Sequence, residues 1–159
     1  MKYGAIDVSR HIINYSNEKA YGVSNLKLQK LLYFTQAYFL IKTGDICFSD
    51  RIEAWDLGPV VPVAYREYKL FGSGNIPTIT HVIEKDSENI WNSKVISFAD
   101  STILASDKEL IDSVVDKFSE YSASDLVGLT HRQQPWIDAY SPHRNNEITR
   151  EAIEDYFNA

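Results

Sequence analysis

The sequence predicts a mainly α (α+β) fold: a compact, single-domain helical bundle around a buried central helix, with a small β-hairpin or short sheet. Three observations carry this expectation. Residues 26–41 are apolar on nearly every helical face, helix start signals recur ahead of shorter amphipathic stretches, and the helical period breaks in residues 52–56 and 77–98. A chain of 159 residues is long enough to bury about two thirds of the surface its unfolded form exposes, and no linker, repeat or low-complexity stretch divides it. One domain over residues 1–159 is therefore expected.

The elements follow in order. Residues 5–17 form a first helix with Ile6, Ile12, Ile13 and Tyr15 among its apolar positions, and Gly22 marks the exit. Ser24 suits an N-cap for the central helix and Gly44 its C-terminal stop, while Gln29 and Gln36 mark a narrow polar edge. A short extended passage at 52–56 leads into a turn at Gly58-Pro59, where glycine takes a left-handed conformation without steric cost. Pro62 opens a third helix over about residues 63–70, ended by Gly72-Ser73-Gly74. Alternation in residues 78–83 and 94–98 gives two strands of a hairpin joined through residues 86–89.

Ser106-Asp107-Lys108-Glu109 has the form of a capping box, followed by Leu110, Ile111, Val114, Val115 and Phe118 at amphipathic spacing. Ser122-Ala123-Ser124-Asp125 repeats that logic before residues 126–129. Pro135 then opens a turn with Trp136, Ile137 and Tyr140 directed inward, and Thr149 caps a last helix through Phe157.

Composition narrows the function. The net charge of −6 is uneven: residues 1–98 hold 11 Lys/Arg against 10 Asp/Glu, and residues 99–159 hold 5 against 12. Phosphate-backbone binding needs clustered Lys and Arg, so direct nucleic-acid binding is not expected. Ten tyrosines and three tryptophans point instead to protein partners. The single cysteine, Cys47, can form neither an internal disulfide nor a cysteine cluster; no secretion signal or membrane span is evident, and a cytoplasmic location is the simplest inference.

Candidate chemistry is sparse. His11, His81, His131 and His143 lack the paired spacings of a zinc site, and Gly72 and Gly74 lack the lysine and helix of a phosphate loop. No metal or other cofactor is expected. His131 with Asp138, or Glu53 with Asp56, could be assembled into an acid/base pair, but a histidine bonding nearby backbone and acids at a strand edge explain the same residues. Glu109, Asp112, Asp116 and Glu120 recur at spacings that place them on one side of a helix. A solvated face is one reading of this set, and a surface that steers a basic protein partner is the other. Tyr33, Tyr38, Tyr65 and Tyr68 divide in the same way between packing and binding.

Leu28-Gln29-Lys30-Leu31-Leu32-Tyr33-Phe34, then Glu53-Ala54-Trp55 with Gly58-Pro59-Val60, then Leu129-Thr130-His131 with Pro135-Trp136, resemble in order the signature of the Panacea domain family. That family includes SocA-like antitoxins and GepA-like phage-associated proteins. The resemblance implies a mainly helical antitoxin that neutralises a cognate toxin protein by direct binding. A proteolytic adaptor that delivers the toxin to a Clp-type protease is the second version of that role. An enzyme is not expected, and a hydrolase using His131 stands as the alternative from a different class. Carried onto this sequence, the family motif gives Leu28, Gln29, Leu32, Tyr33, Trp55, Gly58, Pro59, His131 and Trp136 structural roles, and leaves Glu109, Asp112, Asp116 and Glu120 as the candidate partner-binding set.

Overall fold

A computed structural model describes residues 3–84, 88–89, 91, 93–98 and 102–159. Within them the helices are α1 (Ala5–Glu18), α2 (Asn25–Thr43), α3 (Pro62–Tyr68), α4 (Ala105–Lys117), α5 (Ala123–His131), α6 (Gln134–Ala139) and α7 (Arg150–Phe157). A 3-10 turn, Lys69–Phe71, extends α3. Strands β1 (Glu53–Trp55) and β2 (Gly58–Val60) form one antiparallel pair, and β3 (His81–Glu84) and β4 (Lys94–Ser97) form another. The fold is mainly α with two small sheets, as the sequence predicts.

Helix α2 is the axis of the molecule. The Ser24 hydroxyl accepts from the Lys27 amide at its start, and Gly44, at φ 77°, ends it with its amide donating to Leu40. Helices α1, α3, α4, α5 and α7 and strand β2 all pack on it. Leu28, Leu31, Leu32, Tyr33 and Phe34 are fully or almost fully buried, and each such side chain stabilises the fold by about 1.5–3 kcal/mol. The Phe34 ring stacks on Phe118 at 4.4 Å and meets Phe157 edge-on at 6.4 Å, which ties α4 and α7 to the axis.

The narrow polar edge of α2 that Gln29 and Gln36 mark faces inward. Gln29 and Gln36 are both buried, because each supplies a partner to backbone groups outside the helix that no ladder satisfies: Gln36 in the loop after α2, Gln29 at the entry to α3. Gln36 accepts from the Cys47 and Phe48 amides at 2.8 and 3.2 Å and donates to the Phe48 carbonyl at 2.8 Å. Gln29 accepts from the Val61 amide at 3.0 Å and donates to Asn25 at 2.8 Å. Replacing Gln36 by leucine would leave three buried backbone groups without partners. A loss of about 3 kcal/mol or more is expected, measured by urea unfolding.

Two expectations are corrected. Helix α4 begins at Ala105 behind an N-cap, Leu104, that has no capping side chain, so the Ser106 box does not form. The distant Tyr3 hydroxyl bridges the start of the helix instead: it accepts from the Leu104 amide at 3.2 Å and donates to Asp107 at 2.5 Å. The box at Ser122 and Asp125 does form, and Thr149 caps α7. Strand β3 starts later than the alternation suggests. Asn14 pairs with both the amide and the carbonyl of Ile79, and Asn17 donates to the Ile76 carbonyl, so residues 76–79 dock on α1 instead of joining a ladder. β3 then pairs with β4 in the register His81↔Ser97 to Glu84↔Lys94, while part of the 86–89 connection lies outside the described residues.

Candidate functional site

The tryptophan-glycine-proline stretch forms a tight hairpin, with Glu53 opposite Val60 and Trp55 opposite Gly58. Segment 146–148 closes the other side of β1: the Ala54 amide donates to Asn146 and the Ile148 amide to Ile52. Gly58 has φ 106°, a conformation L side chains rarely adopt, and a Cβ there would sit 2.8 Å from both Lys30 Cε and Thr130 Oγ1. Glycine is therefore required twice over, by backbone conformation and by space.

Lys30 is completely buried beneath this turn and donates to the Pro59 carbonyl at 3.1 Å. Burial pushes its ammonium down to about 7, since the charged form loses its water. Helices α5 and α6 also hold the turn, through a short aromatic ladder. The His131 Nε2–H donates to the Asp56 carbonyl at 2.9 Å, the Trp136 indole donates to the Trp55 carbonyl at 2.8 Å, and the Tyr140 hydroxyl donates to the Asp56 carboxylate at 2.5 Å. Their rings are stacked, His131 on Trp136 at 4.1 Å and Trp136 on Tyr140 at 4.5 Å. Three acceptors of one turn are thus satisfied by three consecutive rungs.

The hairpin forms one wall of a groove of about 700 Å³. Trp55, Leu57 and Val60 line it from the hairpin, Leu26 and Gln29 from α2, and Tyr65 and Lys69 with residues 143–145 complete the lining. The Trp55 ring is held by an indole bond to Glu53 at 3.0 Å and by an edge-on contact with Tyr65 at 5.0 Å. Leu57, at the tip of the turn, remains 54 % exposed. The size and the mixture of apolar wall with a few polar groups match ordinary ligand-binding clefts.

The family model for "Antitoxin SocA-like, Panacea domain" matches residues 28–137, from the first turn of α2 into α6. The chain belongs to this Panacea family. It is 37% identical over 125 residues to Antitoxin SocA of Caulobacter vibrioides (strain NA1000 / CB15N). That alignment covers 77% of the chain and 63% of the relative, so the chain spans less than two thirds of the relative's length. No solved structure matches it.

The Panacea motif blocks, far apart in sequence, meet around this hairpin. Gln29 holds the Val61 amide, Lys30 the Pro59 carbonyl, and Tyr33 donates to Gln133 at 2.8 Å, fixing the link between α5 and α6. Leu28 and Leu32 lie in the core beside them. His131 and Asp138 do not form the acid/base pair considered above: His131 bonds backbone and stacks on Trp136, while Asp138 accepts from Gln134 at 2.5 Å. Ile137, expected inside, is largely exposed, because the short α6 turns Pro135 and Trp136 inward instead. Among the described residues no group of three or more His, Cys, Asp or Glu could hold a metal ion, and no helix is long and apolar enough to cross a membrane.

The acidic set is divided by the fold. Asp112 lies 2.7 Å from His11 Nε2, and desolvation holds its carboxyl above the usual range against the opposing pull of that histidine. Asp116 accepts from the Tyr15 hydroxyl at 2.9 Å and from Tyr21 at 2.8 Å. Both carboxylates therefore join α4 to α1. Glu109 and Glu120 are exposed, and Glu120 lies beyond the last residue of α4, so the four do not share one helix. The groove residues Leu26, Tyr65, Lys69 and Arg144 carry no joint signal in the sequence, since three separate segments supply them. Leu57 did carry one: a large apolar residue inside a polar turn.

Proposed function

We propose that this chain is an antitoxin that neutralises a cognate toxin protein by direct binding in the cytoplasm. The observation that carries the reading is the match to the SocA-like Panacea family over residues 28–137, supported by 37% identity to Antitoxin SocA. Geometry is consistent with binding rather than bond chemistry. His131, the residue on which a hydrolase would depend, spends its Nε2–H on a backbone carbonyl and its ring face on Trp136. Neutralisation then rests on association free energy, with aromatic or arginine anchors surrounded by polar contacts.

The experiment is co-expression with the product of the neighbouring reading frame. Rescue of growth together with co-purification of the two proteins is expected. Rescue with loss of the toxin polypeptide and no stable complex would favour delivery to a Clp-type protease. Failure of rescue would remove the antitoxin reading. His131→Ala is expected to lower the melting temperature through loss of the ladder, with residual folded protein still binding the partner.

A further inference from the structure

The protein is acidic overall, yet the groove beside the hairpin is not. Lys69, His143 and Arg144 line it, and Asp56 is the one carboxylate among its lining residues. That carboxylate already accepts the Tyr140 hydroxyl. Among the described residues, Lys69 and Arg144 have no ion-pair partner. Both cations stand beside an apolar surface formed by Trp55, Leu57 and Tyr65, where a charge-assisted bond to a carboxylate is less screened than in open water.

The wall is also unusually well fixed for a loop. Lys30, His131, Trp136 and Tyr140 all bond the turn. Yet Leu57 is left projecting at its tip. A rigid apolar anchor loses little conformational freedom when a partner covers it, which is the condition for a binding hot spot.

We infer that this groove receives an extended segment of the partner protein, with an apolar side chain against Trp55, Leu57 and Tyr65 and a carboxylate toward Lys69 and Arg144. The inference rests on the antitoxin reading and names the chemistry that the partner must present. It places recognition on a basic-rimmed groove and gives the remaining exposed acids, Glu109 and Glu120, no part in it.

The test uses the full chain and the toxin encoded beside it, with Kd measured by titration calorimetry at low and high salt and growth rescue scored in parallel. The surface variant K69E/R144E is expected to weaken Kd about tenfold or more at low salt and less at high salt, while Leu57→Ala weakens it to a similar degree at both. E109K/E120K is expected to leave Kd within about twofold. Melting curves matching the parent keep loss of folding out of the comparison. Unchanged Kd for the groove variants, with the wild-type complex intact, overturns the groove and leaves the antitoxin role standing. Tighter binding by K69E/R144E overturns it too, since the segment would then be basic. No complex and no rescue by the wild-type chain overturns both.

Discussion

Replacing Lys30 by methionine is expected to abolish a rise in stability of about 2 kcal/mol that the parent protein shows between pH 7 and pH 9. The unfolded chain holds the Lys30 proton up to about 10.5, whereas burial releases it in the folded chain at about 7. Between those values the unfolded state binds more protons, so raising the pH favours folding. Below about pH 7 both states are charged, and the cost of burying the ammonium is complete and constant. Burial is the cause of the shift, and the Pro59 carbonyl that accepts from the ammonium does not titrate. Cys47 acts in the opposite direction above about pH 9, because its buried thiol stays protonated after the unfolded thiol has ionised. Cys47 is common to both proteins, so the difference between parent and variant in urea unfolding at pH 7, 8 and 9 isolates the lysine. Parallel curves for parent and variant would show that Lys30 does not change its charge on folding.

The absolute effect of Lys30→Met at pH 7 is the balance of two contributions. Methionine removes a buried charge, which favours the fold, and leaves the Pro59 carbonyl without its donor, which costs about 1–3 kcal/mol. The slope with pH is free of the second contribution and is the decisive readout.

The other large effect is expected at Gly58. Alanine there should destabilise the protein by about 2–4 kcal/mol, the sum of a side chain at positive φ and of overpacking against Lys30 and Thr130. Gly44→Ala makes the useful comparison. Gly44 also has positive φ, but nothing lies within 4 Å of its Cβ position, so its cost should be limited to about 1 kcal/mol of backbone strain. Equal losses at both positions in thermal or urea unfolding would show that the space beneath the hairpin is not tight.

Helix positions were legible wherever start and stop signals are local. Ser24, Gly44, Ser122 with Asp125, Pro62 and Thr149 all act within a few residues of themselves, and each marks the element the sequence predicts. The N-terminus of α4 was not legible, because the side chain that bonds its N-cap amide is Tyr3, about a hundred positions away. For the same reason Gln29 and Gln36 read as a polar edge: seven-residue spacing places them on one helix face, and says nothing of the backbone amides that come to meet them.

The sequence by itself determined the class of the fold, the buried central helix and membership of the Panacea family, since hydrophobic period, turn residues and motif order are properties of the chain. Only the tertiary structure decided what the motif residues touch. Lys30, Gly58, Thr130, His131 and Trp136 come from three separate blocks and meet around one turn, and Asp112 and Asp116 are drawn to α1 rather than left as an open acidic face. The physical reason is the range of the forces. A capping hydroxyl or an apolar stripe acts between neighbours in sequence, whereas a buried charge and an unpaired carbonyl are satisfied by whichever partner packing brings within 3 Å.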